Sequence, residues 1–399
     1  GGNSGSPLGV TPQTPEAADM AMAATIYHWG LHAWAIYAVM GLALAFFSFN
    51  CKLPLTLRSG FYPLLGERCW GWPGHIIDIF AVLATMFGLA TSLGLGASQV
   101  SAGLSMLFGM DDGLNTKLSV IILVTFIATI SVVRGLDGGV KVLSNFNMLL
   151  ALALLIFIAL AATDISVVRA VIDTAGNYLA NIVPLSNWIG RGDEQWMQDW
   201  TVFYWAWWVS WSPFVGMCIA RVSRGRTVRE FLTAVLLVPT LVTLIWMSVF
   251  GMNALYQAQN KIGSLADGMT SMSLATFQML ESLPLSGFTT LIGIVLVLVF
   301  FITSSDSGSL VIDGITAGGK HDAPVSQRVF WATIQGLLAA ALLYGGGKEA
   351  LAALQAGTVI AGIPFTLILL LVCLSLYKGL NANLRESRLA ELDLKLPAR

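Results

Sequence analysis

The sequence predicts an all-α fold, a polytopic membrane helical bundle, on three observations. Its 399 residues are 56% hydrophobic and only 11% charged, less than half of the charged fraction of about a quarter that is usual in soluble domains. Apolar runs of about 20 residues recur along the whole length, which is what a hydrocarbon layer of about 30 Å asks of a helix rising about 1.5 Å per residue. Strand-type alternation is missing, so the helix satisfies the backbone in lipid. Mean hydropathy is +0.75, and a net charge of −1 leaves no basic footprint for nucleic acid.

Residues 1–19 are Gly/Ser/Pro-rich, start without methionine, and read as an extracytoplasmic loop or an incomplete start. Four spans follow within 20–163, at about 20–48, 75–107, 116–134 and 140–163. Residues 164–196 form an extracytoplasmic amphipathic connector: Val168, Val171, Ile172, Tyr178, Leu179 and Ile182 keep helical spacing, while Arg169 and Asp173 make the stretch too polar to span. A similar short amphipathic piece is expected near Met269 to Leu283. Five further spans occupy 197–377, at about 197–220, 231–256, 286–316, 326–345 and 351–377, and 378–399 is a solvated tail. Alternate loops and the tail hold 16 of the 21 basic residues. The positive-inside rule makes theirs the cytoplasmic side, with the carboxyl terminus inside and the first residue outside, in a multi-pass membrane protein. Cys51, Cys69, Cys218 and Cys373 are scattered and read as packing thiols rather than a disulfide frame.

The stretch FYWAWWVSWSPFVG, Phe203 to Gly216, concentrates four tryptophans in seven residues. On a helix of about 100° per residue, Trp207, Trp211 and Trp208 fall at about 200°, 240° and 300° from Trp205, with Phe214 at about 180°. One face is therefore aromatic, either as a packing surface or as a cavity lining. Aromatic faces in a buried cavity hold quaternary ammonium groups, which donate no hydrogen bonds and bind through cation–π attraction. IYHWGLHAWAIYAV in the first span places Trp29, Trp34 and Tyr37 within an arc of about 140°. Two facing aromatic helices make a box, with Trp205 about 60° from Trp208 as supporting wall.

FYWAWWVSWSPFVG followed by ARVSRGRTVREF resembles the betaine/choline/carnitine transporter family, and the likeness extends through HWGLHAWAIYAV, DIFAVLATMFGLATSLGLGASQ and VFFITSSDSGSLV. LPLTLRSGFYPLLGER and LYKGLNANLRES resemble the choline-uptake branch more than the betaine-uptake branch. The resemblance implies a LeuT-like core of two inverted five-helix repeats within twelve helices. The spans here would match family helices four to twelve, with the first three helices lacking, so that gradient-driven uptake by these residues alone is not expected. It also implies a homotrimer in the membrane lipid. By family position Trp29, Trp34, Tyr37 and Trp208 match the cage around a trimethylammonium group, and Trp207 and Trp211 the substrate path.

The coupling ion is the departure. The family's paired sodium threonines match Thr85 and Leu89, and a leucine offers no oxygen to a hard cation. A second family sodium site matches Thr303 and Ser304 near Phe300, while Phe214 and Asp306 are further ion-coupling candidates. Asp306 is either a helix-packing hydrogen bond or a proton carrier. Asp78 is expected to be solvated. His28 and His32 share a face at i, i+4 spacing, but lack a third ligand, so no metal is expected. No GxGxxG after a strand and no GxSxG occurs, so no cofactor and no enzyme are expected. The leading reading is a secondary transporter of choline coupled to protons; the alternatives are a sodium-coupled glycine betaine or carnitine transporter, and a non-transporting quaternary-amine osmosensor.

Overall fold

The computed structural model describes residues 5–134, 140–162, 166–320 and 324–395, and the side chains of 134, 140, 348 and 386–395 are outside that description. Among the described residues every regular element is helical. The first helix, α1 (Pro15–Trp29), starts within the stretch expected to be loop, because Thr14 caps it by accepting from the Ala17 N–H and Pro15 suits a first turn. It stops at Gly30 (φ −102°, ψ −137°), and α2 (Leu31–Ala45) runs on from there into a π-helical turn at Phe46–Asn50. The single expected span over 20–48 is thus bent in its middle. Only glycine fits the bend, since a Cβ at residue 30 would lie 2.5 Å from the Ile26 carbonyl oxygen.

The hub is α3 (Trp72–Phe108), 72% buried over its most apolar stretch. Its glycines let neighbours close in: a Cβ at Gly94 would meet Leu354 at 2.6 Å and one at Gly96 would meet Phe301 at 1.8 Å. Without a hydrophobic drive between helices in lipid, such close packing supplies the association. Around it stand α4 (Leu114–Arg134) and α5 (Val140–Ala161). Then α6 (Val167–Ser186) lies against α1 as the amphipathic connector, its first turn capped by Ser166. The boundary expected at 163–164 falls outside the described residues.

The tryptophan stretch forms α7 (Phe203–Val222), preceded by a π-helical turn at Met197–Val202. After it come α8 (Val228–Gln259), started by a Thr227–Glu230 capping box, then α9 (Ser286–Thr316), α10 (Val325–Gly346) and α11 (Ala350–Lys395). The amphipathic piece expected before α9 is a short helix, Ala275–Glu281. Eight helices among the described residues are long and apolar enough to cross a membrane. Nine were expected from the sequence, and α7 accounts for the difference, because indoles and serines lower its hydropathy. It nevertheless packs against α2, α3 and α11, all within those eight.

Asp78 corrects another expectation. It is buried, not solvated: the short helical turns over residues 58–70 fold back beneath α3, and Arg58 Nη2 reaches Asp78 Oδ2 at 2.5 Å.

Candidate quaternary-ammonium site

The bend at Gly30 turns the end of α1 and the start of α2 toward α7. Trp29, Trp34 and Tyr37 thereby meet one ring, Trp208, with centroid distances of 5.4, 5.9 and 4.8 Å. Trp34 and Tyr37 also stand edge to face at 5.4 Å. Mixed edge-to-face and tilted pairs at this spacing are the favourable arrangement of ring quadrupoles. Trp208 and Tyr37 are buried, while Trp29 and Trp34 are partly so. The rings fill the space between themselves, and a cation held between two faces needs those faces farther apart than rings in mutual contact. A cation held among these rings would require α2 and α7 to part or the rings to turn.

Trp34 also borders an open groove of about 460 Å³ between α7 and α8, with Ile219, Phe231 and Val238 on the walls and Arg226 and Glu230 at one end. Its indole N–H is buried without a hydrogen-bond partner among the described residues, as is that of Trp211.

The other aromatic candidates point elsewhere. Trp207 touches the cluster through Trp29 at 6.2 Å, but its indole N–H donates to Ser92 Oγ of α3 at 3.1 Å. Trp211 stands one turn on beside Phe214, 5.5 Å away, and covers Gly88 of α3, where a Cβ would lie 2.8 Å from its ring. Trp205 backs the cluster from outside, against Tyr27 and His32.

Sequence reasoning missed a second aromatic layer. His28 stacks between Trp196 at 5.6 Å and Tyr204 at 4.7 Å, and Tyr204 leans on Trp29 at 5.8 Å. The signal was present, since Tyr204 precedes Trp208 by four residues and so lies about 40° away on the same face. Neither histidine is grouped with other ligands: His28 Nε2 pairs with Thr201 Oγ1 at 3.0 Å and His32 Nε2 with Ser186 Oγ at 3.1 Å. Among the described residues no cluster of three metal-ligating side chains occurs. Beyond Trp196 a buried ion pair closes the layer: Arg191 donates twice to Asp193, at 2.8 and 2.6 Å, and Asp193 also accepts the Leu8 N–H at 2.7 Å. Those Arg191 hydrogen bonds, outweighing burial, hold the Asp193 carboxyl below its ordinary value.

The ion-coupling candidates lie on three helices, Thr85 on α3, Phe214 on α7, and Thr303, Ser304 and Asp306 on α9. Thr85 Oγ1 donates to the Ala81 carbonyl at 2.8 Å, and Leu89 fills the space beside Gly308 of α9, where a Cβ would lie 2.3 Å from it. Thr303 Oγ1 is turned back onto the Val299 and Phe300 carbonyls, both at 3.0 Å, and Ser304 is half-buried. Asp306 is 1% exposed and accepts from Ser131 Oγ of α4 at 2.5 Å.

Fold and site together define a multi-pass helical membrane protein built around a buried aromatic cluster. Comparison with known proteins narrows the class. Residues 3–385 match the model of the betaine/carnitine/choline family transporters, and the chain belongs to that family. A glycine betaine/proline/choline/ectoine transporter of Vibrio parahaemolyticus is 61% identical over 385 residues, 96% of this chain and 68% of the relative. Glycine betaine transporter 1 of the same organism is 61% identical over 378 residues, 94% of this chain and 72% of its own. The glycine betaine transporter OpuD of Bacillus subtilis is 43% identical over 389 residues, 97% of this chain and 75% of its own. These relatives are transporters, not enzymes.

Proposed function

We propose that this protein is a secondary active transporter that imports choline across the bacterial inner membrane by alternating access, coupled to protons rather than sodium, with its carboxyl terminus in the cytoplasm. The observation that carries the substrate class is the cluster of Trp29, Trp34 and Tyr37 around Trp208. Four polarizable faces suit a trimethylammonium group, which needs attraction without hydrogen bonding. Leu89 supports the coupling: it puts carbon where a hydroxyl is needed, and Thr85 alone cannot replace a hydrated shell of six or so oxygens.

Glycine betaine is the second reading, supported by the relatives in Vibrio parahaemolyticus and Bacillus subtilis that are named for it. It shares the trimethylammonium end and differs in its carboxylate. Arg226 and Glu230 at the end of the groove offer one charge of each sign, so the groove alone does not choose.

The test is uptake of labelled choline into proteoliposomes by the chain extended with three amino-terminal helices of a close relative, with sodium replaced by potassium at fixed membrane potential and an imposed inward proton gradient. Uptake persists without sodium on this reading and collapses when the proton gradient is dissipated. Loss of most uptake with sodium removed would overturn the coupling, and saturable uptake of glycine betaine with none of choline would overturn the substrate.

A further inference from the structure

Asp306 is a buried titratable group that the aromatic site does not use. It sits about two-thirds of the way along α9, within the membrane, and is 1% exposed. One carboxyl oxygen meets the Ser131 hydroxyl of α4 at 2.5 Å, and the other is buried with no hydrogen-bond partner among the described residues. A carboxylate so placed is costly, and ionisable groups at such depth pair with one another or serve a pathway.

The charges on the surrounding helices are engaged elsewhere or exposed. On α9 itself Asp313 pairs with Arg328 of α10 at 3.2 Å, and Arg221 of α7, itself exposed, lies beside Gly314, eight residues beyond Asp306. On α3 Asp78 pairs with Arg58, and His75 lies in the first turn. On α4 Lys117 faces Asp112 at 3.6 Å, and Lys141 of α5 is exposed. The group that α10 brings nearby is neutral: Gln335 accepts from Ser305 at 3.4 Å and donates to Ser309 at 3.1 Å. Arg134, three residues beyond Ser131, has its side chain outside the described residues and is handled by the experiment below.

A packing route joins this carboxyl to the tryptophan helix. Gly308, two residues after Asp306, receives Leu89 of α3, and the adjacent Gly88 receives Trp211 of α7. One turn of α3 therefore touches both the helix that carries the carboxyl and the helix that carries the cage.

We infer that Asp306 is the proton-binding carboxyl of this transporter, exchanging its proton against the Ser131 hydroxyl at the α4–α9 crossing, and the inference rests on the proton-coupled reading above. With the proton bound, the neutral acid donates from Oδ2 to Ser131 Oγ. When the proton leaves, the Ser131 hydroxyl turns to donate to the carboxylate, whose charge calls for water or movement of α4. The proton taken from outside is released inside, and no bond other than O–H forms or breaks. A change at this crossing displaces Leu89 and Gly88 together and so bears on Trp211.

The experiment compares wild type, Asp306→Asn, Asp306→Glu and Arg134→Gln, each extended by the same three amino-terminal helices of a close relative, in proteoliposomes, with choline uptake under an imposed proton gradient and a pH dye reporting proton movement. Asp306→Asn should lower gradient-driven accumulation by about tenfold or more, within the range of measured coupling, and abolish choline-dependent proton movement. Asp306→Glu should restore both with a shifted pH midpoint, a rescue that a purely structural role would not show. Near wild-type accumulation in Asp306→Asn would overturn the inference. So would loss of the pH response in Arg134→Gln as complete as in Asp306→Asn, because Asp306 would then be held as an ion pair. Circular dichroism melts show that each variant folds, and a well-folded Asp306→Glu as inactive as Asp306→Asn would also overturn it. A wild type that ignores the proton gradient and follows sodium defeats the earlier reading, whatever the variants do.

Discussion

Trp208 meets Trp29, Trp34 and Tyr37, so its removal takes the ring that all three share. Trp208→Leu should weaken choline binding by about 1 to 2 kcal/mol, the range for a desolvated cation–π contact. Trp72→Leu is the control, since Trp72 is 76% exposed at the start of α3. Tryptophan fluorescence titrated with choline reads both, and equal affinity for wild type and Trp208→Leu would remove the ring from the site. Helical arithmetic made this cluster legible in the sequence, because the angular position of a ring follows from residue number alone. It did not reveal that Asp78 has a partner. Arg58 lies twenty residues earlier on separate turns, and no local pattern shows that those turns fold beneath α3.

Among the elements, the bent α1–α2 pair sets the spacing of the aromatic cluster. Gly30→Ala puts a Cβ against the Ile26 carbonyl, which is backbone and cannot turn aside. The bend must then open, carrying Trp29 away from Trp34. Choline affinity should fall by about tenfold, as for a lost cation–π contact, while Gly66→Ala, whose Cβ would have no neighbour within 4 Å, serves as a control for insertion despite its strained φ of 55°. Binding unchanged in Gly30→Ala would mean that the bend does not set the cage. Hydropathy marked the helices themselves well, because length and apolarity are local properties. The bend and the two π-helical turns were not legible, since they depend on what each helix packs against. For the same reason the sequence does not show that Thr303 donates its hydroxyl proton to its own helix, which leaves the oxygen lone pairs uncommitted.

At the scale of the whole molecule, the Arg191–Asp193 pair ties the turn at Pro7–Gly9 to the segment between α6 and α7 through the Leu8 N–H. Its carboxyl is held below the ordinary value chiefly by the Arg191 hydrogen bonds. The stabilisation is therefore complete at neutral pH and is lost as pH falls through the lowered value. Asp193→Asn should cost about 3 kcal/mol at pH 7, because it leaves a buried guanidinium without its counter-charge. Fluorescence melts should show the gap between wild type and variant closing as the pH is lowered, and a gap independent of pH would refute the pair's role. The burial of α3 carries a different consequence, one of time. Its main partner α9 starts about 180 residues after α3 ends. At about 5 to 20 residues per second of synthesis, α3 waits on the order of 10 to 40 s with the notches at Gly94 and Gly96 open. Leu354 and Phe301, which fill them, are made later still than the helix they complete. The centre of this protein is thus made early and finished late, and a chaperone or insertase that shields small-residue grooves has its longest task here.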